Sequence, residues 1–379
     1  MMVAHTASRF SQFDRTMLGV AAAALLAIVL IIWRGDQVEV PPDQTQVIYL
    51  SMAGDGEQLF TLTPPLAPAA SAAAGAPSQL TNTTGGVWDY AVAPDGRQIV
   101  FSAPTADGSS DLWITQPGAA TPSLLLACPK AFCTTPAWSP DGKLLAYSRR
   151  NGNDFAAAAI SPPRLALMDV QAKQSTPVFA DSQKLGFDPR WSADGQWLAY
   201  LAPDFFGVTV FNLETGASQF YATTTGETGV WHPQRTVLLM NEMAKVGENY
   251  VVNLFRVDPI ANTKQNLSGA GSLVEDGAPA WSPDGEWIAF RRNELTGERK
   301  TLSKQLWVMR ADGSDARPLT RDPGADYGPP AWSADGLTLL FHKFPLKGPN
   351  IVIAVWMIDV ASGEQWQVVS PGQRPQWLP

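Results

Sequence analysis

Five carboxylates and one guanidinium recur at comparable places along this 379-residue chain: Asp89, Asp188, Glu227, Asp276, Asp326 and Arg374. Each stands a few residues ahead of a Trp, or of Val92 in the case of Asp89. Carboxylates gathered at the mouth of a channel can hold a cation or meet a basic segment of a partner. A pair of them at the right separation can serve glycoside hydrolysis, but sequence does not set that separation. Other chemistries lack residues. A metal held by several histidines needs more than His5, His232 and His342, the only three present. A nucleophilic serine on a Gly-x-Ser-x-Gly elbow is absent. The expectation is a chain with no catalytic residues, no metal ligands and no cofactor, a cation in the acidic mouth being the one ion the pattern allows.

The segments that would position these residues repeat. Trp138-Ser139-Pro140-Asp141-Gly142 is followed by Leu144-Leu145-Ala146-Tyr147, and Trp191, Trp281 and Trp332 head similar segments. In this segment Pro sets the first corner of a turn, Asp tolerates the second, and Gly takes the left-handed position that closes a hairpin. The short apolar run after it reads as a buried strand. Two more strands follow in each repeat, as in Gln305-Leu306-Trp307-Val308 and Arg317-Pro318-Leu319-Thr320. Four antiparallel strands per repeat make one propeller blade. The first strand ends near Val92, Trp138, Trp191, Trp231, Trp281, Trp332 and Trp377, a period of 40 to 53 residues. At Trp231 the turn reads His232-Pro233-Gln234-Arg235 and the Asp-Gly is lost. The ends of the chain complement each other. Gln46–Leu50 is a second strand with no first, and Arg374–Leu378 is a first strand with no second. Paired, they complete one blade and remove two sheet edges. The expected fold is all-β, a seven-bladed propeller over residues 46–379.

The repeated Trp-Ser-Pro-Asp-Gly resembles the TolB-like or PD40 propeller family, relatives of the WD40 propellers. That family's best-known member has six blades and an N-terminal α/β domain, whereas seven repeats and no such domain are counted here. Its partner-binding role therefore does not transfer residue by residue. Some propellers with similar repeats are lyases of oligouronides that use a histidine-held metal. Others belong to prolyl-type peptidases, which attach a hydrolase domain. Too few histidines and no serine elbow argue against both here.

Residues 17–33 are uninterrupted and apolar, near the short limit of a bilayer span. They read as an uncleaved signal-anchor, with residues 1–16 cytoplasmic and residues 34–45 a linker. The propeller would then be periplasmic or extracellular, tethered to the lipid bilayer. Cys128 and Cys133 are the only cysteines and read as a local disulfide of an exported protein. A net charge of −8 gives no reason to expect nucleic acid.

Strand order places the acidic residues and the longest loops on one face, and long loops on a rigid scaffold are where function concentrates. Phe155, Phe205, Phe206 and Phe344 offer apolar anchors on that face, and Arg149, Arg150, Arg291 and Arg292 offer charge. The expected function is a non-catalytic scaffold that binds another extracytoplasmic or membrane protein through this face. The alternatives are a small-ligand, glycan or cation-binding sensor at the acidic mouth, or an accessory subunit of a larger membrane complex.

Overall fold

The computed structural model describes residues 46–65, 75–152, 161–223, 225–297, 300, 303–348 and 351–378. Among them every regular element is a strand, and no helix is long and apolar enough to cross a membrane. The apolar run 17–33, the linker 34–45 and Phe155 lie outside the described residues.

The strands follow the repeat. β1 (Gln46–Ala53), β2 (Gly56–Leu62) and β3 (Ser78–Gln79) pair in order. β4 (Asp89–Val92), β5 (Ile99–Pro104), β6 (Ser110–Thr115) and β7 (Ser123–Leu126) form the next set. Then come β8 (Ala131–Trp138), β9 (Leu144–Asn151), β10 (Arg164–Asp169) and β11 (Gln174–Pro177). β12 (Phe187–Trp191), β13 (Trp197–Ala202), β14 (Gly207–Asn212) and β15 (Ser218–Ala222) repeat the pattern. So do β16 (Val230–Trp231), β17 (Leu238–Val246), β18 (Asn249–Asp258) and β19 (Thr263–Asn266). β20 (Val274–Trp281), β21 (Trp287–Glu294), β22 (Gln305–Arg310) and β23 (Arg317–Pro318) follow. In the next set Gly328-Pro329-Pro330 splits the first strand into β24 (Ala325–Tyr327) and β25 (Ala331–Trp332), because neither proline can donate to the ladder. β26 (Thr338–Pro345), β27 (Ala354–Asp359) and β28 (Gln365–Val369) complete it.

The last strand, β29 (Gln373–Leu378), pairs antiparallel with β1, Val47 opposite Trp377 and Gln46 opposite Leu378. The complementary strands at the two ends of the chain thus meet, as their sequences require. Cores lie between sets rather than within them. Ile48, Leu50 and Leu59 of the first set pack against Tyr90, Ile99 and Phe101 of the second. Each such buried side chain is worth about 1.5–3 kcal/mol, so contact between successive sets is a main source of cohesion.

The turn between the first two strands of a set is held the same way in four repeats. Ser139 Oγ donates to Asp141 at 2.7 Å, the Lys143 N–H donates to the same carboxylate, and the Leu144 N–H donates to Ser139 Oγ. Ser192–Asp194, Ser282–Asp284 and Ser333–Asp335 repeat this. Gly142 closes the turn at φ 69°, where a side chain would be strained. The Asp of the motif is therefore spent on its own backbone. A disulfide ties Cys128, just ahead of β8, to Cys133 within it, and the Cys128 N–H donates to Asp111 at 2.7 Å.

Several residues expected on the long-loop face lie in strands instead. Arg149 and Arg150 lie in β9, Arg291 and Arg292 in β21, and Phe344 in β26. The β17–β18 hairpin likewise stays paired out to Val246 and Asn249. The hairpins project further than their hydrophobic runs, because backbone pairing continues past the last buried apolar residue.

Candidate functional site

The start of the first strand in each set carries the polar residues, and a repeated backbone feature aims them. Thr135, Asp188, Ala278 and Arg374 each stand three residues before the Trp of their strand. All four have left-handed φ of 47–52°, and the ladder shifts register beside each of them. Such a bulge frees a backbone N–H from the ladder. In each case that N–H donates to a side chain of the preceding set. Thr135 donates to Asp89 at 3.3 Å, Asp188 to Ser148 Oγ at 3.1 Å, Ala278 to Glu227 at 3.4 Å, and Arg374 to His342 Nδ1 at 3.4 Å.

Side chains complete the girdle. Arg374 donates to the Trp88 carbonyl at 2.8 Å and pairs with Asp89 at 3.4 Å, while the Tyr90 hydroxyl donates back to the Arg374 carbonyl. These contacts join the last strand to the second set. Arg291 pairs with Asp326 at 3.1 Å, and Asp326 also accepts the Lys304 N–H at 2.8 Å. His342 feels the charges of Arg291, Asp326 and Arg374 and so stands among them. Burial, with Arg291 second, pushes its pKa down to about 4, so it is neutral and free to accept the Arg374 N–H. Asp188 pairs with Arg190 at 2.8 Å and accepts from Thr228 Oγ1 at 2.8 Å.

The acids foreseen from sequence therefore separate. Asp89, Asp188, Asp326 and Arg374 join one polar girdle, and Glu227 continues it through Asn241. Asp276 does not open on the mouth. It is fully buried in a two-bonded ion pair with Arg292, at 2.6 and 2.7 Å, beside Phe290 and Trp307. Every one of these carboxylates has a cationic or N–H partner. Among the described residues no three of His, Cys, Asp or Glu come close enough to hold a metal ion. His342, Lys304, Arg190 and Tyr90 belong to this girdle and were not among the residues expected there from sequence; only their strand register could have found them. The buried Arg291 Nε has no hydrogen-bond partner among the described residues.

The other candidates lie apart from this girdle. Phe205 and Phe206 are exposed at the β13–β14 turn, with Phe206 at φ 50°, and Phe205 meets Phe220 edge-on at 6.0 Å. Arg149 reaches toward Cys133 Sγ at 3.8 Å, and Arg150 stands opposite Phe132. Ser148 Oγ lies 2.5 Å from Thr135 Oγ1, with no imidazole bonded to it, so it lacks the general base a nucleophile needs. A cavity of about 960 Å³ between the first two sets is lined by Thr81, Thr83, Thr105 and Trp113, with Asp55 as the one charge among its described lining residues. No acid–base pair is among them.

The opposite end of each first strand is built differently. The indole N–H of Trp138 donates to Ala91 O, Trp191 to Ala137 O, Trp231 to Arg190 O, Trp332 to Ala280 O and Trp377 to Ala331 O, at 3.0–3.2 Å. Each acceptor is the residue before the corresponding position of the preceding repeat. The Trp of the motif is a latch between neighbouring sets. Trp281 breaks the series, its buried indole N–H having no hydrogen-bond partner among the described residues. The preceding repeat is the irregular one. There His232, buried, takes the place of the turn serine, and its Nδ1 accepts the N–H groups of Gln234 and Arg235 at 3.0 and 3.1 Å.

No protein-family model matches the chain. "Uncharacterized peptidase YuxL" of Bacillus subtilis (strain 168) is 37% identical over 75 residues, 19% of this chain and 10% of that protein. A puromycin-hydrolyzing peptidase of Mycobacterium tuberculosis superposes with a TM-score of 0.57 at 18% identity, over 88% of this chain and 54% of its own. An oligogalacturonate lyase from Vibrio parahaemolyticus does so with a TM-score of 0.57 at 11% identity, over 86% of each chain. These likenesses overturn two expectations from sequence, that the chain is a non-catalytic scaffold and that it is not an enzyme. Missing histidines and a missing serine elbow say nothing of a propeller's place within a larger hydrolase. At such low identity the solved structures speak for the fold, and that fold is an all-β propeller.

Proposed function

We propose that this chain is the propeller of a peptidase-type hydrolase and that its charged mouth holds peptide substrates by their ionised ends. The observation that carries this reading is the 37% identity over 75 residues with a protein named as a peptidase. The chain spans about a tenth of that relative and about half of the puromycin-hydrolyzing peptidase, and the bond-breaking step is assigned to no residue described here. The mouth suits the role. Arg374 and Arg291 present guanidinium groups for a terminal carboxylate, and Asp89 and Asp326 stand beside them for a terminal ammonium. Neutral His342 keeps the site from becoming uniformly cationic.

The seven sets of strands are, in this reading, seven blades of one ring closed by the β1–β29 pair, and the contacts from Arg374 to Asp89 and Trp88 support that closure. The disulfide supports a working place outside the reducing cytosol. The test is equilibrium binding of a panel of free-ended tripeptides to the full chain, with oligogalacturonate as comparison. Binding of the tripeptides is expected, weakened in the Arg374→Ala, Arg291→Ala double variant. Absence of binding to every peptide would overturn the reading.

A further inference from the structure

Where the repeat breaks, a cationic cavity appears. Five turns carry Asp-Gly, at Asp95, Asp141, Asp194, Asp284 and Asp335, but the turn after Trp231 carries Gln234-Arg235 at those two places. The change exchanges a carboxylate for a guanidinium. It needs a substitute for the Ser–Asp bonds, and His232 Nδ1 supplies it by accepting two backbone N–H groups. The other ring nitrogen, Nε2, lies 3.2 Å from Arg235 Nε and against Gly285. A Cβ there would come within 2.3 Å of that nitrogen. Burial, with Arg235 second, lowers the His232 pKa and keeps the ring neutral.

Arg235 lines a cavity of about 270 Å³ together with Arg256 of β18 and Arg310 of β22. Two acids, Glu286 and Asp312, stand at the same cavity, so the guanidinium groups outnumber the carboxylates. The arginines are braced with hydrogen-bonding capacity to spare. Arg256 donates to Ala311 O at 3.3 Å and to Gln265 Oε1 at 2.7 Å, two of its five N–H groups. Arg310 stacks over Trp287 at 4.4 Å, which holds its plane, and its Nε alone pairs with Asp315, at 3.4 Å on an exposed edge. A cavity of this size is below the range for drug-sized ligands, and several guanidinium edges recognise tetrahedral oxyanions through paired N–H bonds.

We propose that this cavity is a binding site for a phosphate group, distinct from the peptide-holding mouth and independent of it. The phosphate is that of a small soluble anion or of a lipid headgroup. The test is calorimetric titration of the full chain with inorganic phosphate at low ionic strength, and flotation with phosphatidylglycerol or phosphatidylcholine vesicles. Two variants accompany the wild type. Arg256→Gln with Arg310→Gln removes the braced cations, and Gln234→Asp with Arg235→Gly restores the sequence of the regular turns. One-site binding of phosphate, weakened at least tenfold in both variants, is the expected result. Flotation with phosphatidylglycerol but not phosphatidylcholine, lost in both variants, supports the same site with the lipid as its source. No binding to either probe, or binding that both variants retain, overturns the proposal. Urea denaturation of each variant separates loss of the site from loss of the fold.

Discussion

The two ends of the first strand in each set are made from the same backbone and put to opposite uses. At the turn end the residues repeat: Trp latches onto the preceding set, and Ser and Asp close their own turn. At the loop end only the backbone repeats. The left-handed residue recurs, but its side chain is Thr135, Asp188, Ala278 or Arg374. Uniform chemistry at one end serves architecture, and varied chemistry on a uniform bulge serves binding. The set that begins at Trp231 tests the distinction, because there the turn end varies too, the latch of the following set onto it, from Trp281, fails, and a cationic cavity opens.

The sharpest break comes from removing His232. It is buried and satisfies two backbone N–H groups, so His232→Ala should cost about 3 kcal/mol through a cavity and orphaned donors. The corresponding Ser139→Ala should cost about 1 kcal/mol. Urea denaturation of the two variants measures the difference. Next is the mouth. Arg374→Ala should weaken binding of free-ended peptides about tenfold, equivalent to about 1.4 kcal/mol. Stability should change by less than about 1 kcal/mol, because the ion pair with Asp89 is partly solvated. Smaller again is the latch. Trp191→Phe leaves Ala137 O without its donor and should cost about 1 kcal/mol beyond any packing loss, whereas Trp281→Phe deletes a donor that has no partner and should cost less. Equal costs would remove the latch from the account.

The smallest effect is a pH dependence. His342 is protonated near pH 6.5 when unfolded and only near pH 4 when folded. Between these values unfolding takes up a proton, so stability falls as pH drops from 6.5 toward 4 and is level above that window. At pH 6 the loss attributable to His342 is under about 1 kcal/mol. Comparing the melting temperatures of wild type and His342→Gln from pH 7 to pH 5 isolates it.

The turn end was legible in sequence because its residues act locally. Pro, Asp and Gly declare a turn, and a strand missing at each end declares a closing pair, which β1 and β29 make. The loop end was half legible. Asp89, Asp326 and Arg374 were visible as charges, but their partners come from other sets, so only the folded register brings Arg291 to Asp326 or His342 to Arg374. Asp276 illustrates the limit. Its sequence position matches those of the mouth acids, yet Arg292, one strand away, draws it into the core. Arg149 and Arg150 were placed in a loop because hydrophobic patterning ends before backbone pairing does. The likeness to hydrolases was illegible for a different reason, since the motifs sought for such chemistry belong to domains that accompany a propeller.

The most direct measurement is calorimetric titration of the full chain with one tripeptide in two forms, with free ends and with both ends capped by acetyl and amide groups. The account predicts that the free form binds at least tenfold more tightly, and that Arg374→Ala with Arg291→Ala abolishes the preference. Equal binding of the two forms, or binding of neither, would contradict it.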